Sequence, residues 1–402
     1  PHVRLLHTGD WHIGKALYGI TRHDECRAVL EEVAGLARDE RVDAILVAGD
    51  LLDRRLVDPT SLGIALETLS RLAEVAPVVA VPGNHDDPDI WRHLSALLAP
   101  RGVVVVDAIL PAERAVIDVE TAGGRLHVAA LPWPEPHRLP MAVGAERGAA
   151  RTGYAQLVAD LVRSYAGELR DRRRADGAPA VLLGHLMVDG SQTGAGERTL
   201  TMALTYCLPT ATIPTDLDYI ALGHIHRPQP LPGVSAPGRY CGSPLALDFS
   251  EDNHAKTVTV VDLGEPPREI PLRAGRRLVR VRGSLDDLPG LAAAHGDAWL
   301  RCEVLLEQPV PELAREVRAL VPNALRIDPV YPLAPGDGRA AEAAAGDDAD
   351  RGLADLSGHY DDWYAGAGRR LDPGVAAAFA AAVDSAGGDD HGGGGGERGE
   401  AG

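Results

Sequence analysis

The chain has 402 residues, 45% of them apolar, four cysteines and a formal net charge of −18. That length suits two domains plus an appendage, and with no run of about 18 apolar residues a helical membrane span is excluded. The acidic balance excludes broad coating of nucleic acid but not a local DNA groove, because residues 341–402 alone hold 13 acidic against 4 basic residues, a net of −9.

Pro1-His2-Val3-Arg4 leads almost directly into the first apolar run, with no charged segment followed by an apolar one, so a cytoplasmic chain is expected. Cys26, Cys207, Cys241 and Cys302 are far apart and form no C-x-x-C pair, which agrees with a reducing compartment and argues against a thiolate zinc site. The apolar runs Val3–Leu6, Ala44–Ala48, Val78–Val81, Ala180–Leu183 and Tyr219–Leu222 read as strands, each ending in a turn with Gly and a polar residue. Between them lie amphipathic segments such as Glu25–Ala37 and Tyr154–Leu169. Ala115–Glu120 and Leu126–Leu131, joined by Thr121-Ala122-Gly123-Gly124, predict a β-hairpin. This alternation predicts a layered α/β fold over residues 1–265.

After Glu265-Pro266-Pro267 the pattern restarts at smaller scale: strand Arg277–Val281, helix Leu285–Ala294, strand Trp299–Leu306, helix Pro311–Leu320 and strand Ala324–Pro329. It predicts a small α/β domain over residues 266–332. Residues 333–386 read as a linker with two short helices, near Leu353–Ala365 and Pro373–Val383, and 387–402 as a Gly-rich disordered end.

Five short motifs follow apolar runs: Asp10-x-His12, Gly49-Asp50-x-x-Asp53, Gly83-Asn84-His85-Asp86, Gly184-His185 and Gly223-His224-x-His226. Strand C-terminal ends converge on one edge of an open sheet, so residues distant in sequence can meet there. Each motif alone is weak; five in this order are not. Asp, His and Asn without thiolates favour divalent ions such as Mn²⁺, with Fe²⁺ or Zn²⁺ also compatible. Seven donors exceed one tetrahedral zinc and suit two octahedral ions if a carboxylate bridges. Asp50, after a buried strand and a glycine, is the natural bridge.

These motifs resemble the calcineurin-like metallophosphoesterases. Within that superfamily the chain is similar to the bacterial SbcD-type nuclease subunits, on Leu6-His7-Thr8-Gly9-Asp10-Trp11-His12-Ile13-Gly14, Val81-Pro82-Gly83-Asn84-His85-Asp86, Ala221-Leu222-Gly223-His224-Ile225-His226-Arg227-Pro228 and Tyr240-Cys241-Gly242-Ser243-Pro244-Leu245-Ala246-Leu247-Asp248-Phe249. The resemblance implies a four-layer α-β-β-α sandwich, a smaller α/β capping domain and a helical C-terminal tail. It implies that Asp10, His12 and His226 hold one metal, that Asn84, His185 and His224 hold the other, and that Asp50 bridges them. His85 would sit beside the scissile phosphate without binding metal, oriented by Asp86; the role of Asp53 stays open. Two cations about 3.5–4 Å apart would clamp the phosphate while water attacks in line, and His85 would protonate the leaving sugar oxygen. The implied activity is 3′–5′ exonuclease on duplex DNA and endonuclease on single strands and hairpins, in repair, recombination and replication. The implied partners are DNA and an SbcC-type ATPase with a coiled coil, with this chain as a homodimer inside a heterotetramer associated with the nucleoid. One departure is Glu197–Leu204, which lacks the paired glycines expected after Arg198.

Other features are read more plainly. His7 and His127 are expected as packed core histidines; His23, His93, His137, His254, His295, His359 and His391 are expected to face solvent. Gly9–Ala16 nearly matches a phosphate-binding G-x-x-x-x-G-K-[ST] loop but lacks the final hydroxyl, and Asp10 would repel phosphate, so no nucleotide site is expected in this chain. Arg170, Arg172, Arg173 and Arg174 read as a solvated helix end. The run Arg273, Arg276, Arg277, Arg280 and Arg282 reads as phosphate contact, with Arg276, Arg277 and Arg280 foremost, because the family's small domain helps to hold DNA. The aromatic segment Leu356–Tyr364 is read as an ATPase-docking element, against a local cluster on the main domain. The competing functions are a small-molecule phosphatase or cyclic-nucleotide phosphodiesterase on the same site, and a non-catalytic scaffold.

Overall fold

The computed structural model describes residues 3–136, 138–139, 150–193, 207–251 and 255–331. The expected linker, tail helices, Gly-rich end, aromatic segment and Glu197–Leu204 loop, and His137, His254, His359 and His391, lie outside the described residues.

Two six-stranded sheets form the body. The first contains β1 (Arg4–Thr8), β2 (Ala44–Ala48), β3 (Val78–Val81) and β4 (Val103–Val105), each pairing in parallel with the next. The second contains β5 (Val116–Thr121), β6 (Gly124–Leu131), β7 (Ala180–His185), β8 (Tyr219–Gly223), β9 (Gln229–Pro230) and β10 (Gly238–Tyr240), in the order β5-β6-β7-β8-β10-β9. The predicted hairpin is β5–β6, with Val116 opposite Ala129 and Thr121 opposite Gly124. Strands β11 (Thr257–Asp262) and β12 (Arg268–Pro271) return to the first sheet, giving the order β12-β11-β1-β2-β3-β4.

Alternation along the strands explains the layers. Leu5, Ala44, Leu46 and Ala48 of the first sheet meet Val128, Ala130, Val181, Leu183 and Ala221 of the second in one buried cluster. The opposite faces are equally apolar. Leu6, Ile45 and Val47 pack against α1 (His23–Asp39), α2 (Pro59–Ala73) and α3 (Pro88–Leu98). Past the short α4 (Ala112–Ala115), the long α5 (Ala150–Asp176) covers Ala129, Leu131, Leu182 and Ile220 with Tyr154, Val158, Val162 and Tyr165. Strands buried on both faces read as continuous apolar runs, and the result is an α-β-β-α sandwich. Helix starts are specified locally: Asp58 accepts from Thr60 N and Ser61 N before Pro59 opens α2, and Asp87 accepts from Asp89 N with Pro88 opening α3.

The small domain is a parallel three-stranded sheet, β13 (Leu278–Gly283), β14 (Trp299–Leu305) and β15 (Ala324–Val330). Helices α6 (Leu288–Ala293) and α7 (Leu313–Leu320) connect the strands and close a core of Val281, Leu288, Leu300, Cys302, Val304 and Val317. The break expected after residue 265 falls inside the β11–β12 hairpin. Pro266-Pro267 are in its turn, and β12 still pairs with β11, Val258 opposite Ile270.

Candidate metal centre

Parallel strands deliver the motifs to one edge. Asp10 and His12 follow β1, Asp50 follows β2, Asn84 follows β3, His185 ends β7, and His224 and His226 follow β8. The turns are tight enough to force left-handed backbone on residues other than glycine: Asp10 at φ 49°, His12 at 44°, Asp50 at 49° and His224 at 99°. Such conformations cost free energy and persist only where the surroundings enforce them. Here the loops are stitched together: Asp10 N donates to Gly49 O at 2.8 Å, and His12 N to Asp50 O at 2.9 Å. His224 N donates to both Asp10 oxygens, at 2.9 and 3.1 Å, which ties the two sheets across the site. Gly83 must be glycine, since a Cβ there would overlap the Asp50 carboxylate.

Three overlapping groups have ligand atoms within 4.8 Å of one another: Asp10, His12 and His226; Asp50, His185 and His224; and, between them, His12, Asp50 and His85. The seven candidate ligands divide between the first two. Asn84 Oδ1 joins the second at 3.0 Å from His185 Nε2 and 2.9 Å from His224 Nδ1. Asp50 Oδ2 stands 3.3 Å from His185 Nε2 and 3.5 Å from His12 Nε2, between the clusters. The seven candidate ligands therefore lie in one pocket, in two groups.

The donor set fits divalent cations. The His226 Nδ1 bonds Glu251 Oε1 at 3.2 Å and the His12 Nδ1 faces Asp53 Oδ1 at 3.4 Å without a hydrogen bond, an arrangement that favours hydrogen on Nδ1 in both neutral rings. Their Nε2 lone pairs then confront each other at 3.1 Å. His185 Nδ1 donates to Ala48 O at 2.7 Å and aims Nε2 at Asp50 Oδ2 and Asn84 Oδ1. Acceptors facing acceptors about 3 Å apart are what neighbouring ligands around an ion with bonds of about 2.1 Å look like.

Protein charges alone pull in opposite directions here. Burial lowers His185, but Asp50 and Asp10 outweigh it and raise the ring to about 9. Burial also opposes ionisation of Asp50, yet His185 and His12 hold it well below the usual carboxylate range. Burial pushes Asp10 up to about 6, with Asp50 adding to it, and pulls His12 down to about 4 and His224 to about 3. A bound cation would replace protons in relieving this crowding.

Three further residues shape the site: Asp53, whose role its motif left open, and two that lie outside every motif. Asp53 faces His12, Glu251 faces His226, and the Trp133 indole stacks on the His224 ring, centroids 5.1 Å apart and planes 23° from parallel. Glu251 and Trp133 carry no local signal, because only the fold brings them near.

One expectation is corrected. Asp86 does not orient His85: the His85 Nδ1 meets the backbone carbonyl of Asp53 at 2.8 Å. The Asp86 carboxylate is buried and accepts from Gly83 N at 2.9 Å, Leu51 N at 3.1 Å and Leu52 N at 3.0 Å, so it fastens the β2 and β3 loops. His85 lies beside His12, ring centroids 4.7 Å apart, and its backbone N donates to Asp50 Oδ1 at 2.8 Å.

His7 is buried and bonds the Tyr219 hydroxyl at 3.0 Å; His127 is buried but held between Asp118 and Asp176. His93 is exposed, whereas His23 and His295 are half-buried rather than solvent-facing, and His23 meets Ser61 Oγ at 3.0 Å. The first arginine run is engaged by carboxylates: Arg170 with Asp216, Arg172 with Glu168 and Asp118, Arg173 with Asp218, Arg174 with Asp171. In the second, Arg276 stacks 4.0 Å over Trp299, Arg277 Nη2 is 3.4 Å from His295 O, and Arg280 is 3.8 Å from Glu303.

The profile of the calcineurin-like phosphoesterases matches residues 3–228, and one described as the type 5 capsule protein repressor C-terminal domain matches residues 274–358. The SbcD component of the SbcCD nuclease of Bacillus subtilis is 33% identical over 350 residues, covering 82% of this chain and 86% of that protein. The SbcD proteins of Rhodobacter capsulatus and Escherichia coli K12 are 34% identical (67% and 69% covered) and 25% identical (79% and 82% covered).

Proposed function

Since the chain belongs to the calcineurin-like phosphoesterase family, within its SbcD branch, we propose that it is the subunit that cuts DNA in an SbcCD-type complex, with the two acceptor clusters as its catalytic centre. It is a metal-dependent phosphodiesterase. The observation that carries the site assignment is Asp50 Oδ2, poised between two clusters whose acceptors face one another.

In this reading Asp10, His12 and His226 would hold one divalent cation, Asn84, His185 and His224 would hold the second, and Asp50 would serve both. The hard and borderline donors favour Mn²⁺. Bound cations would neutralise the phosphate and favour loss of a proton from the attacking water. The chain's own groups do the rest. His85 Nδ1 donates to Asp53 O, which leaves Nε2 to carry a proton to the departing sugar oxygen. Asp86 keeps the two loops in register for that transfer. Trp133 and the apolar strands behind the ligands limit water and lower the local dielectric.

The activity is expected as 3′–5′ exonuclease on duplex DNA and endonuclease on single strands and hairpins. Arg276, Arg277 and Arg280, at the entrance to the small domain, are proposed to touch the DNA backbone. The C-terminal segment is proposed to dock the coiled-coil base of an SbcC-type ATPase, with this chain as a homodimer in a heterotetramer, in the cytoplasm and at the nucleoid. The proposed boundaries are a nuclease domain through β12, to residue 271 rather than 265, a small domain to 332 and a docking segment to 386. The test is linear duplex and hairpin DNA with Mn²⁺: both should be cleaved. Hydrolysis of p-nitrophenyl phosphate or cyclic AMP with no action on DNA would turn the reading to a small-molecule enzyme.

A further inference from the structure

Lysine is scarce in this chain: of 40 basic residues only Lys15 and Lys256 are lysine, leaving 38 arginines. Both lysines end beside a carboxylate that faces a histidine of the same cluster. Lys15 Nζ lies 3.3 Å from Asp53 Oδ1, the oxygen that faces His12 Nδ1 at 3.4 Å. Lys256 Nζ lies 2.6 Å from Glu251 Oε2, and the other oxygen of Glu251 faces His226 Nδ1 at 3.2 Å. The second arrangement is tightly built. Glu251 also accepts from Leu247 N at 3.1 Å, and Lys256 donates to Ser243 Oγ at 2.8 Å and to His226 O at 3.4 Å. The Glu251 and Lys256 side chains are only 10% and 11% exposed.

We propose that Lys256–Glu251 is a positioning relay that holds His226 with hydrogen on Nδ1, and that the looser Lys15–Asp53 pair, whose Oδ1 faces His12 Nδ1 without a hydrogen bond, biases His12 the same way, so that both Nε2 lone pairs serve one cation. This deepens the two-cation reading and rests on it. A ligating histidine generally needs a partner for its other nitrogen, which fixes ring and tautomer. A carboxylate partner makes the imidazole a stronger donor than a carbonyl does. It also brings a second anion close to the site, which could swing in and ligate. Lysine answers that hazard by holding the carboxylate back. Its compact ammonium can share Glu251, Ser243 Oγ and a carbonyl in different directions, which a planar guanidinium cannot. The other cluster is backed differently: His185 Nδ1 by the Ala48 carbonyl, and the His224 ring by the Trp133 indole. Loss of a relay should therefore weaken one cation site and spare the other.

The experiment is calorimetric titration of Mn²⁺ into the full chain, with the imidazole tautomers of the metal-free protein read by long-range ¹⁵N–¹H NMR. Asp53→Leu and Glu251→Leu should each weaken one of two sites by about 10–100-fold and leave the other unchanged. Glu251→Gln, which keeps an acceptor oxygen, should recover part of that loss. The His226 ring should pass from one tautomer to a mixture in Glu251→Leu. Wild-type affinity at both sites in all three variants, or equal weakening of both sites with a lower melting temperature, would overturn the relays while leaving the two-cation centre standing. A wild-type chain that binds no divalent ion would remove the centre itself, and the relays with it.

Discussion

Two regions of this molecule send parallel strands into loops, and they use their polar residues in opposite ways. In the small domain the loop after β13 closes on itself: Ser284 N and Ser284 Oγ both donate to Asp287 Oδ2, at 3.0 and 2.6 Å. At the edge of the two large sheets Asp10, Asp50, Asn84 and four histidines turn their acceptors toward one another instead. Four residues there carry left-handed backbone without being glycine. Parallel strand ends are thus not enough to make a site. A site needs donors left over after local hydrogen bonding is complete, and a backbone that bears strain to present them.

The contrast is tested hardest at Asp50. Asparagine there keeps the shape and an acceptor from His85 N but removes the charge between the clusters. Asp50→Asn should reduce DNA cleavage by more than about 10⁴-fold, since cation stabilisation of the transition state is worth several kcal/mol. Elemental analysis should find fewer than two Mn²⁺ per chain. Full cation content with undiminished cleavage would break the contrast, because Asp50 would then be no more than a loop fastener like Asp287.

His85→Ala comes next. Cleavage should fall by about 10²–10⁴-fold while two cations remain bound, because His85 Nε2 is assigned to a proton rather than to a metal. Loss of a cation from this variant would instead make His85 a ligand, as its place within reach of His12 and Asp50 allows.

The gathering of the candidate ligands was legible because each follows a strong apolar run and strand ends must converge. The sandwich was legible for a related reason: strands buried on both faces leave the unbroken runs Ala44–Ala48 and Ala180–Leu183. What could not be read was the layer of contacts behind the ligands. Glu251 reaches His226 from a separate short helical turn, and Trp133 comes from the end of β6 on another part of the sheet. Asp86 misled for a physical reason. After β3 successive side chains diverge, so His85 and Asp86 are neighbours in sequence but serve different partners. Pro266-Pro267 misled similarly: prolines mark a turn, but a turn within a hairpin looks like a linker until its pairing is seen.

Interior histidines sharpen the comparison from another side. His7 is three residues from Asp10 but inside β1, and burial, with Arg239 adding to it, lowers it to about 3. Its unfolded value is about 6.5, so the unfolded chain takes up a proton first as pH falls. The stabilisation is complete above pH of about 6.5 and is lost progressively from there toward about 3. By pH 5 the loss from this residue should be about 2 kcal/mol. Denaturant unfolding in EDTA should show the His7→Gln variant losing that much less stability than wild type between pH 7 and 5. Parallel curves would mean that His7 is not kept neutral by the fold.

The smallest effect is expected where the small domain meets DNA, and it decides what its arginines are for. Arg276 stacks on Trp299, and Trp299 Nε1 and Arg276 N both donate to Glu25, at 2.9 and 3.0 Å, so this arginine helps to join the small domain to α1. Arg277 is exposed, with one long contact to His295 O at 3.4 Å. If both arginines grip phosphate, Arg277→Ala should weaken DNA binding by up to about tenfold and lower the slope of log affinity against log salt by about one, with unfolding unchanged. Arg276→Ala should change the same slope and also lower the melting temperature. Should neither variant alter the salt slope while Arg276→Ala still destabilises the chain, these arginines belong to the fold alone, and the charge that meets DNA must be sought near the metal edge.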